Sequence, residues 1–128
     1  MAKTPSSMLP LGTSAPQFSL INVITGLPVS LQHTDDQEIA TVVMFICNHC
    51  PYVKYINQAI TALAHDYMPE HIAFIAINAN DASAYPDDSP DNMRQTAKEQ
   101  GYPFPYLFDE TQEVARAYHA TCTPDFFV

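Results

Sequence analysis

The sequence predicts an α/β domain in which one sheet carries helices on both faces. Two apolar, β-branched runs, Ala40 to Cys47 (ATVVMFIC) and Ile72 to Asn78 (IAFIAIN), have the composition of strands covered on both sides. Between them, Pro51 stands where it suits a first helical turn, and Val53, Ile56, Ile60 and Leu63 then recur at helical spacing. Strands alternating with helices in this way build a sheet flanked by helices.

The remaining elements follow in chain order. Residues 1–10 read as a loose arm. From Ala15 to Leu31 a hairpin is expected, with alternation in Gln17-Phe18-Ser19-Leu20-Ile21, a turn at Thr25-Gly26 and a return along Pro28-Val29-Ser30-Leu31. The stretch from Asn80 to Pro90 is polar. Ser89-Pro90-Asp91 looks like a helix start, Met93 to Gln100 the helix and Gly101 its stop. Pro105 to Phe108 is a short strand. Asp109 or Thr111 is placed to cap a helix holding Val114, Ala115 and Tyr118. Thr123-Pro124-Asp125-Phe126-Phe127-Val128 enters a third apolar strand and stops. A last strand that has only just begun would leave an edge open and a face uncovered. The chain is therefore expected to be a fragment, or to be completed by a partner, a homodimer being one way to close the edge.

At 128 residues the chain is long enough for one domain with its own core, and 47% hydrophobic residues exclude a disordered composition. A net charge of −9 argues against nucleic acid, since the five basic residues Lys3, Lys54, Arg94, Lys98 and Arg116 are scattered. No stretch is apolar for long enough to span a bilayer, and MAKTPSSMLP lacks the apolar centre of a signal peptide. No membrane partner and a cytoplasmic location are the resulting expectations. Structural disulfides are rare there, so a close cysteine pair is expected to be catalytic or metal-binding.

That pair is Cys47-Asn48-His49-Cys50, at the junction of a strand and a helix. Free amides and the helix dipole stabilise a thiolate at a helix start, which predicts a lowered pKa for Cys47. Cys47, ending a strand, is expected to be the exposed attacker, and Cys50 the more buried resolving thiol. His49 is placed to hydrogen-bond the Cys47 thiolate or add positive charge beside it, which stabilises the reduced form. On this reading His49→Ala lowers the redox potential. A structural zinc site would need Cys122 and one of His33, His65, His71 or His119 as further ligands, and none of these has a paired spacing. The solvated surface is the default for those four histidines. Pro124, after a Thr and before a strand, is a candidate cis proline. Cys122, two residues before it, is either a third redox thiol or a space-filling residue.

These residues together resemble the thioredoxin superfamily, and most closely its peroxiredoxin-like and TlpA-like thiol–disulfide oxidoreductase branch, related to AhpC/TSA proteins. Leu11-Gly12-Thr13-Ser14-Ala15-Pro16-Gln17-Phe18-Ser19-Leu20 resembles the opening of that group, and Val43 to Lys54 its strand, dithiol and helix start. Asn78 to Asp81, Tyr85 to Pro90 and Tyr102 to Asp109 are similar to a peroxiredoxin-like subgroup. The resemblance implies a thioredoxin-like fold over residues 11–128: a central mixed sheet flanked by helices, with an N-terminal β-hairpin. It also implies that the usual C-terminal strand and covering helix are missing. Thr123 and Pro124 align with the cis-proline segment whose backbone pairs with substrate. Thioredoxin's Trp and buried Asp are replaced by Ile46 and Thr41. The peroxide-holding Pro and Thr positions of peroxiredoxins hold Val43 and Cys47.

The expected function is thiol–disulfide exchange with a protein or small thiol, reset by a cellular dithiol, with Cys47, Cys50 and His49 as site residues and Thr123 and Pro124 binding substrate. It needs no cofactor and no metal. The rivals are a thiol-dependent peroxidase, a Cu(I)- or Zn-binding metallochaperone-like domain, and an interaction domain with a vestigial dithiol.

Overall fold

In the computed structural model of the chain, residues 5–7, 9–31 and 38–128 are described. His33 and part of the N-terminal arm lie outside them. The strands are β1 (Ser19–Asn22), β2 (Pro28–Ser30), β3 (Ala40–Phe45), β4 (Ile72–Asn78), β5 (Tyr106–Phe108) and β6 (Asp125–Phe127). The helices are α1 (Pro51–Tyr67), α2 (Pro90–Gln100) and α3 (Glu113–Ala117). One mixed sheet results, in the order β2-β1-β5-β4-β3-β6. Its central strands β3, β4 and β5 are parallel, while β1, β2 and β6 pair antiparallel with their neighbours.

Alternation along the central strands divides the core between the two faces. Met44, Phe74 and Ala76 face α1 and α2, packing with Val53, Ile60, Ala64, Met93 and Ala97. Val43, Phe45, Ile75 and Ile77 face the other way, against Phe18, Leu107 and Tyr118, with Val114 and Ala115 of α3 beside them. Helices thus cover both faces, and the thioredoxin-like arrangement expected from the sequence is the one observed.

Local chemistry sets the boundaries. Gly26 has φ 76°, which lets the chain turn between β1 and β2. Pro51 is at the start of α1, where its missing N–H costs nothing. Ser89 caps α2, accepting from the Asn92 amide at 3.3 Å, and Gly101 ends it in the left-handed region. The N-cap position of α3 is Gln112 rather than Asp109 or Thr111, although Asp109 Oδ2 accepts from the Ala115 amide at 2.9 Å and Thr111 Oγ1 from the Glu113 amide at 3.4 Å. The α1 stripe differs from its expected form. Val53 and Ile60 are buried, but Leu63 is 47% exposed and Asn57 takes the inward position. Tyr102 explains the exchange, donating its hydroxyl to Asn57 Oδ1 at 2.7 Å. In the arm, Ser6 Oγ donates to Asp125 Oδ1 and Ser7 Oγ to the His119 carbonyl, both at 2.7 Å. No helix among the described residues is long and apolar enough to cross a membrane.

Candidate active site

The sheet register brings the two ends of the site together. Phe45 of β3 pairs with Asp125 of β6 in antiparallel register, so Cys47, two residues on, lies beside Thr123, two residues back. The Thr123–Pro124 peptide is cis. Cys47 Sγ is 3.4 Å from Thr123 Oγ1, and Cys50 Sγ donates to the Thr123 carbonyl at 3.3 Å. Cys47, Cys50 and Cys122 form no disulfide in this structure. Alongside runs a groove of about 880 Å³ whose walls include His49, Tyr52, Tyr85, Arg116, Thr123 and Pro124.

Two expectations for Cys47 need correction. It is 1% exposed rather than an exposed attacker, because the strand's burial continues through Ile46 into the turn. Its pKa is raised from 9.0 to about 11 rather than lowered. Burial is the largest cause and the negative charge of Asp88 adds to it, as does Cys50. The Thr123 hydroxyl opposes burial most, and the backbone amide of Cys50 is the weakest influence. The helix-start effect expected from the sequence is therefore present but outweighed. Cys122 lines the groove, with Sγ 3.7 Å from the Pro124 carbonyl. Its thiol is also pushed up, by burial and then by the charge of Asp125.

His49 also departs from expectation. Among the described residues its ring is hydrogen-bonded through Nδ1 to Asp88 Oδ2, with Asn80 Nδ2 at 3.5 Å, and not to the Cys47 thiol. The Tyr85 ring stacks on it at 4.6 Å with 3° between planes. Asp88 is fully buried, on the short 3-10 turn Pro86–Asp88. It also accepts from the Asn48 amide at 2.6 Å, Asn78 Nδ2 at 3.0 Å and Asn80 Nδ2 at 3.2 Å. Asn48 is fixed further, donating to the Asp87 carbonyl at 2.7 Å and accepting from Tyr106 Oη at 2.9 Å. Both residues between the cysteines are thus anchored to one turn, whose Asp88 is buried.

The sequence reading gave Asp88, Asn78, Asn80, Tyr85 and Tyr106 no role. Asn78 offered a signal, an amide closing an otherwise apolar run at the carboxyl end of a parallel strand, where sites in such sheets gather. Among the described residues the group of donors close enough to share a metal is Cys47, His49 and Asp88, all within 4.8 Å of one another. Cys122, His65, His71 and His119 are not part of it, and those three histidines are exposed.

Residues 11–128 match the AhpC/TSA family. The chain belongs to that family. It is similar to an uncharacterized conserved protein from Geobacillus kaustophilus, with 56% identity and a TM-score of 0.92 over 98% of this chain and 68% of that one. A hypothetical protein from Sinorhizobium meliloti 1021 shares 42% identity and a TM-score of 0.92, over 98% of this chain and 67% of that one. A thiol:disulfide interchange protein of the thioredoxin family from Chlorobium tepidum shares the fold, with a TM-score of 0.73 at 23% identity, over 90% of this chain and 76% of that one. A search of the curated proteins gave no match.

Proposed function

We propose that this AhpC/TSA-family chain is a thiol–disulfide oxidoreductase that exchanges disulfides through Cys47 and Cys50. The observation that carries the reading is the convergence of both thiols on Thr123, at the edge of the groove that Thr123 and Pro124 line. Cys47 attacks a partner's disulfide, forming a Cys47–sulfur bond and releasing one partner thiol. Cys50 then attacks that mixed disulfide, closing Cys47–Cys50 and releasing the second thiol. A cellular dithiol reduces the pair again. Thr123 and Pro124 hold the partner segment, and Cys122 on the same wall stands as a third thiol. No metal or cofactor enters these steps, and the reaction is assigned to the cytoplasm, where reduced thiols prevail.

The test is a trap. A Cys50→Ser variant incubated with a protein disulfide should accumulate a mixed disulfide at Cys47, and Cys47→Ser should accumulate none. A Cys50→Ser protein that never forms one would remove the proposal. The AhpC/TSA match favours a second reading, a thiol peroxidase in which Cys47 is oxidised to a sulfenic acid and condenses with Cys50. Against it stand Val43 and Cys47 at the positions of the peroxide-holding Pro and Thr. Peroxide consumption lost in Cys47→Ser would favour this rival.

A further inference from the structure

A carboxylate buried to the degree of Asp88 costs folding free energy unless every oxygen is well paired. Its four hydrogen bonds divide by purpose. Those from Asn48, Asn78 and Asn80 hold the carboxylate in place. The fourth reaches His49 Nδ1. A carboxylate on one ring nitrogen fixes the tautomer, placing the proton on Nδ1 and leaving Nε2 a free acceptor. Tyr85, stacked almost parallel, sets the plane of the ring. One ligand atom each of Cys47, His49 and Asp88 lies within 4.8 Å of the others, so the oriented imidazole is one bridging water or a small ring movement from the thiol.

From this geometry we infer that Asp88 is the positioning residue of a proton relay, holding His49 so that the ring takes the Cys47 proton during disulfide attack. The inference rests on the reading of Cys47 as the attacking thiol. The step balances. The Cys47 proton moves to His49 as the Cys47–sulfur bond forms and the partner's disulfide bond breaks. The same proton then passes from His49 to the departing partner thiolate. The electron pair of the broken bond leaves with that thiolate, and Cys47 is oxidised as the partner is reduced.

The relay and simple electrostatics predict opposite signs. As a bare negative charge, Asp88 holds the Cys47 thiol up, so its removal should make Cys47 more reactive. As the holder of a base, its removal should make Cys47 less reactive. The other titratable group acting on Cys47 is Cys50, unchanged in Asp88→Asn, while the phenols of Tyr102 and Tyr106 are themselves pushed up, by burial first and also by the Cys47 charge.

The experiment measures alkylation of Cys47 by iodoacetamide between pH 6 and 10, read by mass spectrometry, in the full chain with far-UV circular dichroism as the fold control. Asp88→Asn is expected to slow the reaction at pH 7 by about tenfold or more and to move its rise to higher pH. His49→Ala is expected to slow it similarly, added imidazole to restore part of the rate, and the double variant to lose no more. A folded Asp88→Asn protein that reacts as fast as the unaltered chain, or faster, overturns the relay. Should Asp88→Asn not fold, His49→Ala decides alone, and an unchanged rate there, or a slow one that imidazole leaves unrestored, overturns it. Alkylation involves no disulfide exchange. A chain that shows the relay yet forms no mixed disulfide in the Cys50→Ser trap contradicts the oxidoreductase reading only.

Discussion

Thr123→Val removes the side-chain contact that most favours the Cys47 thiolate and leaves the Thr123 carbonyl, the Cys50 partner, in place. The hydroxyl lies 3.4 Å from Cys47 Sγ, and it must donate once the sulfur is ionised. A hydrogen bond to a charged group contributes about 1.5–3 kcal/mol, which corresponds to roughly one to two pKa units. The Cys47 thiol, at about 11 in the unaltered chain, then moves higher still. At neutral pH the thiolate population falls by roughly ten- to hundredfold, on the same conversion of one pKa unit to tenfold. Iodoacetamide alkylation, resolved by mass spectrometry, reads this directly. The rate at Cys47 should lie below that of the unaltered chain at every pH from about 7 to 10. Cys122, whose thiol donates to the Pro124 carbonyl at 3.7 Å, provides an internal reference. Equal Cys47 rates in the two proteins would refute the view that Thr123 carries part of the thiol chemistry.

Two further predictions concern stability. Cys47 at about 11 and Tyr102 and Tyr118 at about 12 all have folded values above their ordinary 9.0 and 10.0, so their contribution is fully present below about pH 9 and is lost as pH rises through the folded values. Cys47 alone accounts for about 2 kcal/mol, somewhat less than two full pKa units because water reaches the neighbouring groove. Urea midpoints should therefore fall between pH 8.5 and 11, and a flat profile would contradict the assigned burial. Tyr106→Phe removes a fully buried hydroxyl that donates to Asn48 Oδ1 at 2.9 Å and lies 3.4 Å from Asn78 Nδ2. A loss of about 1–3 kcal/mol in chemical denaturation is expected, and an unchanged midpoint would show that Asn48 is held without it.

The sequence was most informative where one physical demand dominates a segment. ATVVMFIC and IAFIAIN have no exposed face to satisfy, so β-branched and apolar residues dominate them and the central strands are visible directly. Pro51, Ser89 and Gly101 each satisfy a local backbone requirement, and each stands at a helix end. The dithiol's position follows from the same local logic. Its environment does not. Asp87 and Asp88 are neighbours of the same type in a polar stretch, yet one is exposed and the other fully buried. What separates them is the Pro86–Asp88 turn folding onto Asn48, His49, Asn78 and Asn80, contacts spanning up to 40 residues. No periodicity encodes such a pairing. The Cys47 pKa eluded the sequence for a related reason, since the helix start favouring the thiolate is local while the burial opposing it comes from a core assembled by distant elements and the opposing charge from the Asp88 turn.

The central claim is that Cys47 and Cys50 form one reversible redox couple. A titration in glutathione buffers, quenched by alkylation and resolved by mass spectrometry, tests it most directly. A single two-electron transition confined to Cys47 and Cys50, with Cys122 alkylated throughout, is the predicted result. A pair that never closes across the buffer range, or becomes alkylated only after a chelator is added, would contradict it.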